Sequence, residues 1–245
     1  MDITEVWELC ISLMWDASYI KSLDAFLKDN NVNTILDCGG GTGFPCIELK
    51  KLGWNISYCD NNKTMIEHFS KKINKLSMNI PTFNTDWRTL SENIPQKFDA
   101  LLCRGNSLIY VDSWETTNPT LKRENIKRVL REFYQRLNEK GLLYIDIINQ
   151  KEFNQKYPLI ENIGEKIING KKVKVTWEIT HSPKKKRRKC DIILNIEDYK
   201  NVTTCYSYLL TQEELSLLMT ECGFKNVHNV KIIGENNYTV YVGYK

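Results

Sequence analysis

Three histidines in 245 residues leave little imidazole for chemistry. His68, His181 and His228 stand apart and outside any motif, so each reads as a structural or surface residue and not as a base or metal ligand. The eight cysteines, at positions 10, 38, 46, 59, 103, 190, 205 and 222, never fall into a C-x-x-C pair. Neither a disulfide framework nor a zinc site is expected from them. No run of about 18 apolar residues occurs, which excludes a membrane-spanning helix, and no secretory leader is recognisable, so the expected compartment is the cytoplasm. Repeats and low-complexity linkers are missing too, and the length suits one domain over residues 1–245. Acidic excess is also absent: the net charge is +4. Lys184, Lys185, Lys186, Arg187, Arg188 and Lys189 alone carry +6, leaving the remainder at −2. The basicity therefore belongs to one loop, read either as a solvated hairpin tip or as a local holder of polyanions or a nuclear address.

What is present centres on Ile35-Leu36-Asp37-Cys38-Gly39-Gly40-Gly41-Thr42-Gly43, the end of an expected strand and the opening of an expected helix. Gly39, Gly41 and Gly43 allow a ligand to lie directly on backbone, where side chains would collide with it. About twenty residues on, Trp54 to Cys59 forms a second apolar strand ending in Asp60, placed to accept hydrogen bonds from both hydroxyls of a ribose. A dinucleotide fingerprint G-x-G-x-x-G fits poorly, because Phe44 or Cys46 occupies its last position.

Ile3 to Lys28 has one helical periodicity (Val6, Leu9, Cys10, Leu13, Ala17, Ile20, Leu23) and carries Trp7, Trp15 and Tyr19. After the glycine turn come a helix ending at Gly53, the second strand, a helix from Thr64 to Leu76 and a short strand at Thr82 to Asn84. The apolar run Phe98 to Cys103 stops at Arg104-Gly105-Asn106-Ser107; an amphipathic helix from Leu121 to Leu137 and a fifth strand at Leu142 to Ile148 follow. Five strands alternating with helices predict an α/β fold with a doubly wound, mostly parallel sheet. From residue 165 the pattern becomes an antiparallel hairpin, 172–180 against 192–196, with a possible third strand over 203–210. Thr211 to Glu214 then caps a helix ending at Gly223, and 227–233 with 238–244 form a final antiparallel hairpin.

The pattern acid-x-G-x-G-x-G resembles motif one of the class I S-adenosylmethionine-dependent methyltransferases. Lys97 to Ser107, Asp86-Trp87-Arg88-Thr89-Leu90 and Gly141 to Asp146 resemble the matching stretches of glycine and sarcosine N-methyltransferases. The resemblance implies a Rossmann-like seven-stranded sheet, a helical lid at residues 1–30 including Trp15 and Tyr19, and an antiparallel elaboration at 165–210. It implies S-adenosyl-L-methionine as cofactor, held by Tyr19, Asp37, Gly39, Gly41, Gly43, Asp60, Asn61, Met65, Asp86, Trp87, Cys103 and Arg104. Asp60 would take the ribose, Met65 the adenine, and Asp86 with Trp87 the adenine's amino edge. Met65 and Trp87 each have a plain packing role as the alternative. The acceptor would meet Asn106 and Tyr110, the candidate catalytic residues, with Tyr206 and Tyr208 as further pocket hydroxyls. No metal is implied, since an activated methyl donor needs mainly alignment and exclusion of water.

The expected partner is a small-molecule amine; an RNA or protein substrate held by the basic loop is the second reading. One departure narrows the choice of amine. In the resembled family an arginine two residues after the fifth-strand aspartate clamps the amino acid's carboxylate, whereas here Asp146 is followed by Ile147 and Ile148. Free glycine is therefore expected to be a poor acceptor. Arg104 is left open between cofactor, acceptor and solvent.

Overall fold

The computed structural model describes residues 2–113, 120–148, 157–197 and 199–245. The N-terminal periodicity is carried by two helices, α1 (Ile3–Met14) and α2 (Ala17–Asp29), in place of the single helix expected. The break has a local cause: Trp15 and Asp16 are extended, and the Asp16 carboxylate caps α2 by accepting from the Ser18 amide at 2.8 Å. Asp2 and Glu5 form a capping box at the start of α1.

Then follow β1 (Thr34–Cys38), α3 (Cys46–Lys51), β2 (Asn55–Asp60), α4 (Lys63–Lys75), β3 (Thr82–Asn84), α5 (Leu90–Asn93), β4 (Phe98–Cys103), α6 (Arg123–Arg136) and β5 (Leu137–Ile148). Strands β1 to β5 run parallel, as the alternation of strands and helices predicts. Four more strands, β6 (Leu159–Ile168), β7 (Lys171–Ser182), β8 (Arg187–Ile196) and β9 (Tyr199–Tyr208), form a separate antiparallel sheet in that order. After α7 (Gln212–Glu221), β10 (Lys225–Val230) and β11 (Tyr238–Tyr244) rejoin the main sheet, whose order is β10-β11-β5-β4-β1-β2-β3. The final hairpin is thus not simply an edge: β11 lies inside, antiparallel to β5, and only β10 is exposed at the margin.

One face of the main sheet packs Leu36, Leu101, Leu143 and Ile145 against Val129, Leu130 and Phe133 of α6 and Leu215, Leu218 and Met219 of α7. The other buries Ile35, Ile56, Tyr58 and Tyr144 under Leu23 and Leu27 of α2 and Phe69 of α4. A third cluster joins Val6, Leu9, Cys10 and Met14 of α1 to Val175, Trp177, Ile192 and Leu194 of the second sheet. Helix α1 consequently bridges the second sheet and the carboxyl ends of the parallel strands. Among the described residues no helix is long and apolar enough to cross a membrane.

The basic run is only partly a solvated tip. Lys184, Lys185 and Lys186 are exposed, but Arg187 already belongs to β8, and Arg188 is buried at 3 % exposure. Strand β6 did not announce itself, because its side chains are largely exposed and Gly164 interrupts its register, so no alternation survives in the sequence.

Candidate active site

Order reverses in the main sheet at β1, with β2 and β3 on one side and β4 and β5 on the other. A crevice opens beyond the carboxyl ends at such a point. Here it becomes a cavity holding about 1030 Å³ of atom-free space, mouth included, which is the scale of a small-molecule site.

The glycine turn forms its floor. Gly39, Gly41 and Gly43 all have positive φ, at 73°, 51° and 103°. The Gly39 and Gly40 amides donate to the Cys59 carbonyl at 2.8 and 3.2 Å, and the Tyr58 hydroxyl donates to the Gly41 carbonyl at 2.7 Å, so the turn is tied to the end of β2. Asp60 completes the tie, accepting from the Gly41 amide at 2.9 Å and the Asn62 amide at 2.8 Å. An added Cβ at Gly41 would have no neighbour nearer than 4.0 Å, whereas one at Gly39 would lie 2.6 Å from the Trp87 ring. Gly41 therefore presents bare backbone to the cavity, and Gly39 is where an indole closes over it.

Two buried charges stand on the wall without the partners such groups normally have. Asp37 is 1 % exposed and its Oδ2 has no hydrogen-bond partner. Burial pushes its carboxyl up to about 7; Arg104 pulls it down and Asp60 pushes it further up. Arg104 is 6 % exposed, with Nη2 unpartnered. Its Nε donates to the Tyr19 hydroxyl, and its guanidinium carbon lies 4.7, 4.4 and 5.3 Å from the ring centroids of Trp15, Tyr19 and Phe44. The aromatic faces stabilise the cation, while Trp15 itself donates to Glu235 at 2.6 Å and stacks on Tyr238. Nearby, Asp146 accepts from the Gly105 and Asn106 amides at 3.0 and 2.6 Å, and burial raises it to about 7.

Of the residues singled out in the sequence, Trp15, Asp37, Gly39, Gly41, Asp60, Asn61, Met65, Asp86, Trp87, Arg104 and Tyr110 line this one cavity. Others stand behind it. Tyr19 supports Arg104; Gly43 packs against Phe69 and Ile47; Cys103 is buried in the core of the main sheet. Asn106 turns its side chain back, its Oδ1 accepting from the Ile148 amide at 3.4 Å. The Asp86 carboxylate is engaged by its own loop through the Arg88 amide and guanidinium. Tyr206 and Tyr208 do not reach the wall and need correcting as pocket hydroxyls. Side chains alternate along a strand, and Ser207 between them is the residue paired with Arg188 of β8, while Tyr208 is buried in the core of the main sheet. Tyr206 instead packs under Arg187, and the Tyr208 hydroxyl donates to Glu214 at 3.2 Å.

Wall residues that sequence reasoning passed over include Cys10, Ile11 and Met14 of α1, Phe44, and Tyr238. Tyr238 pairs with Ile148 at the carboxyl end of β5. Its placement follows from sheet register alone, and only the recognition that the last strand lies beside β5 would have found it.

Comparison with known proteins agrees with this architecture. Residues 35–141 match a family model described as a methyltransferase domain. Glycine/sarcosine N-methyltransferase of Parasynechococcus marenigrum (strain WH8102) is 28% identical over 148 residues, 59% of this chain and 49% of that protein. The enzyme of the same name from Aphanothece halophytica is 28% identical over 145 residues, 58% and 51% of the two chains. The chain spans about half the length of these curated relatives. Among solved structures, an amino pentose methyltransferase from Micromonospora echinaspora superposes with a TM-score of 0.72 at 13% identity, covering 98% of this chain and 96% of that one. An S-adenosylmethionine-dependent methyltransferase from Clostridium acetobutylicum gives 0.70 at 16% identity, covering 93% and 90%. The glycine turn, the strand order and these matches agree: residues 35–141 resemble a methyltransferase domain, and the chain has the fold of the class I S-adenosylmethionine-dependent methyltransferases.

Proposed function

We propose that the protein transfers a methyl group from S-adenosyl-L-methionine to the nitrogen of a small-molecule amine. One observation carries the reading: an unpartnered buried carboxylate oxygen, on Asp37, and an unpartnered buried guanidinium nitrogen, on Arg104, share the wall of one cavity beside a glycine turn. An amino acid group presents the complementary pair, an ammonium for Asp37 and a carboxylate for Arg104. The rest of the wall fits the remainder of the cofactor. Asp60 retains acceptor capacity for ribose hydroxyls beyond its two amide bonds, Asn61 lies beside it, and Met65 and the Trp87 indole offer polarizable apolar surface to a purine.

When bound, the cofactor supplies a methyl group already activated by a positively charged sulfur. The chain's own residues then bind, orient and keep water out. Trp7, Cys10, Ile11 and Met14 close the cavity from α1, and Tyr110 and Tyr238 bring hydroxyl-bearing rings to its wall. Asn106 acts through the backbone, holding the end of β5 by its contact with Ile148. The relatives named as glycine/sarcosine N-methyltransferases support an amine nitrogen as acceptor. An RNA or protein substrate receives less support, because Lys186 is paired with Glu214, Lys189 with Asp191, and Arg188 is buried.

A panel of amines, amino acids and RNA incubated with S-adenosylmethionine tests the reading by release of S-adenosylhomocysteine. Release with small amines, insensitive to moderate salt, is the expected outcome. Release with RNA alone, falling steeply with salt, would replace it.

Two measurements probe the cofactor end. Asp60→Ala should weaken S-adenosylmethionine binding by about 1–3 kcal/mol, as charge-assisted bonds to a ribose are lost; unchanged affinity by calorimetry in a folded variant would remove Asp60 from the site. Cofactor binding should also release a proton near pH 6. Asp37 is largely protonated there in the free protein, its carboxyl lying at about 7, and must ionise to face an ammonium. Calorimetry at pH 6 in buffers of different ionisation enthalpy measures this directly, and equal heats in both would contradict it.

A further inference from the structure

Strand β8 turns Arg188, Cys190, Ile192 and Leu194 inward, toward α1. Three of the four are apolar or nearly so; the first is a cation. Arg188 is 3 % exposed, its Nε has no hydrogen-bond partner, and it forms no ion pair among the described residues. Its Nη1 donates to the hydroxyl of Tyr110, a wall residue of the cavity, at 3.3 Å. In register, Arg188 stands opposite His181 of β7 on one side and Ser207 of β9 on the other, so the three share a face. Ser207 is 1 % exposed and its Oγ is likewise unpartnered. His181 is kept neutral, pushed down to about 4 by burial and by Arg188, and therefore adds no charge at neutral pH. Glu161 of β6 feels Arg188 electrostatically, yet burial raises its carboxyl, and it does not come within ion-pair distance.

A guanidinium in these surroundings has lost its water without gaining a counter-ion. That is costly to the fold, and the unused donors of Arg188 and Ser207 point to what offsets the cost. We propose that Arg188, with Ser207 and Tyr110, forms an anion-binding site for the acceptor, so that the amine this protein methylates carries an anionic oxygen group, a carboxylate or a phosphate. A cation on β8 takes over the role that the resemblance places at position 148, so the expectation that free glycine is a poor acceptor, which rested on Ile148 alone, no longer follows. The proposal rests on the methyltransferase reading and deepens it. Arg104 and Arg188 then divide the work, the first facing the cofactor's carboxylate and the second the acceptor's anion.

The test uses the full chain saturated with S-adenosylhomocysteine, which occupies Arg104, and titrates it with acetate in one arm and inorganic phosphate in the other. Saturable binding of at least one anion is expected, and the preferred arm identifies the group. Arg188→Met should weaken that binding at least tenfold, Arg188→Lys less, and all three proteins should bind S-adenosylhomocysteine equally. Arg188→Met without ligand should melt about 2–4 °C higher, since a buried unpaired cation has been removed, which a purely structural arginine would not give. Absence of saturable anion binding to the unaltered protein, or equal binding by Arg188→Met, overturns the proposal. If Arg188→Met does not fold, Arg188→Lys and Ser207→Ala carry the comparison, and undiminished binding by both overturns it equally. Failure of the unaltered protein to bind S-adenosylhomocysteine would instead strike the methyltransferase reading.

Discussion

Exchange of Asp37 for asparagine is expected to weaken S-adenosylmethionine binding roughly 10- to 150-fold, the value of about 1.5–3 kcal/mol for a hydrogen bond to a charged group. Asparagine keeps the shape and one acceptor but loses the charge that an ammonium requires. The same exchange should leave the ligand-free protein at least as stable above pH 7. The sign follows from the direction of the shift. Asp37 titrates at about 7 in the folded protein against 3.8 in an ordinary environment, so the folded state binds its proton more tightly than the unfolded chain does. Its contribution to stability is therefore complete below about pH 4 and is lost as pH rises toward 7, a loss of at most roughly 4 kcal/mol. Asparagine has no such titration. Urea unfolding of both proteins at pH 5 and pH 8 should show a smaller drop for Asp37→Asn, although Asp146 still titrates in both. Unchanged cofactor affinity together with lost stability at pH 8 would mean that Asp37 serves the turn and not the ligand.

The second large effect concerns the fold. Gly43→Ala should lower stability by about 2–6 kcal/mol, combining a strained backbone at positive φ with overpacking. Its Cβ would lie 2.7 Å from Phe69 Cδ2 and 2.9 Å from Ile47 Cδ1, at a φ of 103°. Phe69 cannot step aside, because its ring is stacked on Tyr58 at 3.9 Å between centroids, and Tyr58 holds the Gly41 carbonyl. The displacement would pass into the turn itself. Gly41→Ala provides the contrast: its Cβ meets open space, so only backbone strain remains, about 1–2 kcal/mol. Thermal unfolding separates the two, and a Gly43→Ala protein as stable as Gly41→Ala would show that the packing against Phe69 is compliant.

The parts of this site that could be read in the sequence are those determined by a few adjacent residues. Asp37 with the three glycines, Asp60 at the end of its strand and Arg104 at the end of β4 are signalled by turn chemistry and strand endings, and eleven of the singled-out residues meet at one cavity. The rest depends on contacts between distant segments. Nothing near Tyr238 states that it will lie across from Ile148, and nothing near Tyr206 states which face of β9 turns inward. Arg188 was hidden for another reason. Six consecutive basic residues suggest solvent, yet the alternation Arg188, Cys190, Ile192, Leu194 was in view and assigns the arginine to the buried side. The two-residue break at Trp15 and Asp16 escaped because the apolar spacing continues across it.

The position of β11 also shapes how the protein comes to be made. Residues 238–244 pair along their length with Leu142 to Ile148 on one side and with β10 on the other. During synthesis β1 to β5 emerge from the ribosome long before their neighbour exists, and β5 must wait with an open flank while the second sheet and α7 are translated. An unpaired flank of apolar strand is the feature most prone to self-association in a nascent chain. Completion of the main sheet is thereby deferred to the arrival of the last strand. That strand also carries Tyr238 into the cavity wall, so a chain not yet extended through β11 lacks both the partner of β5 and part of the site.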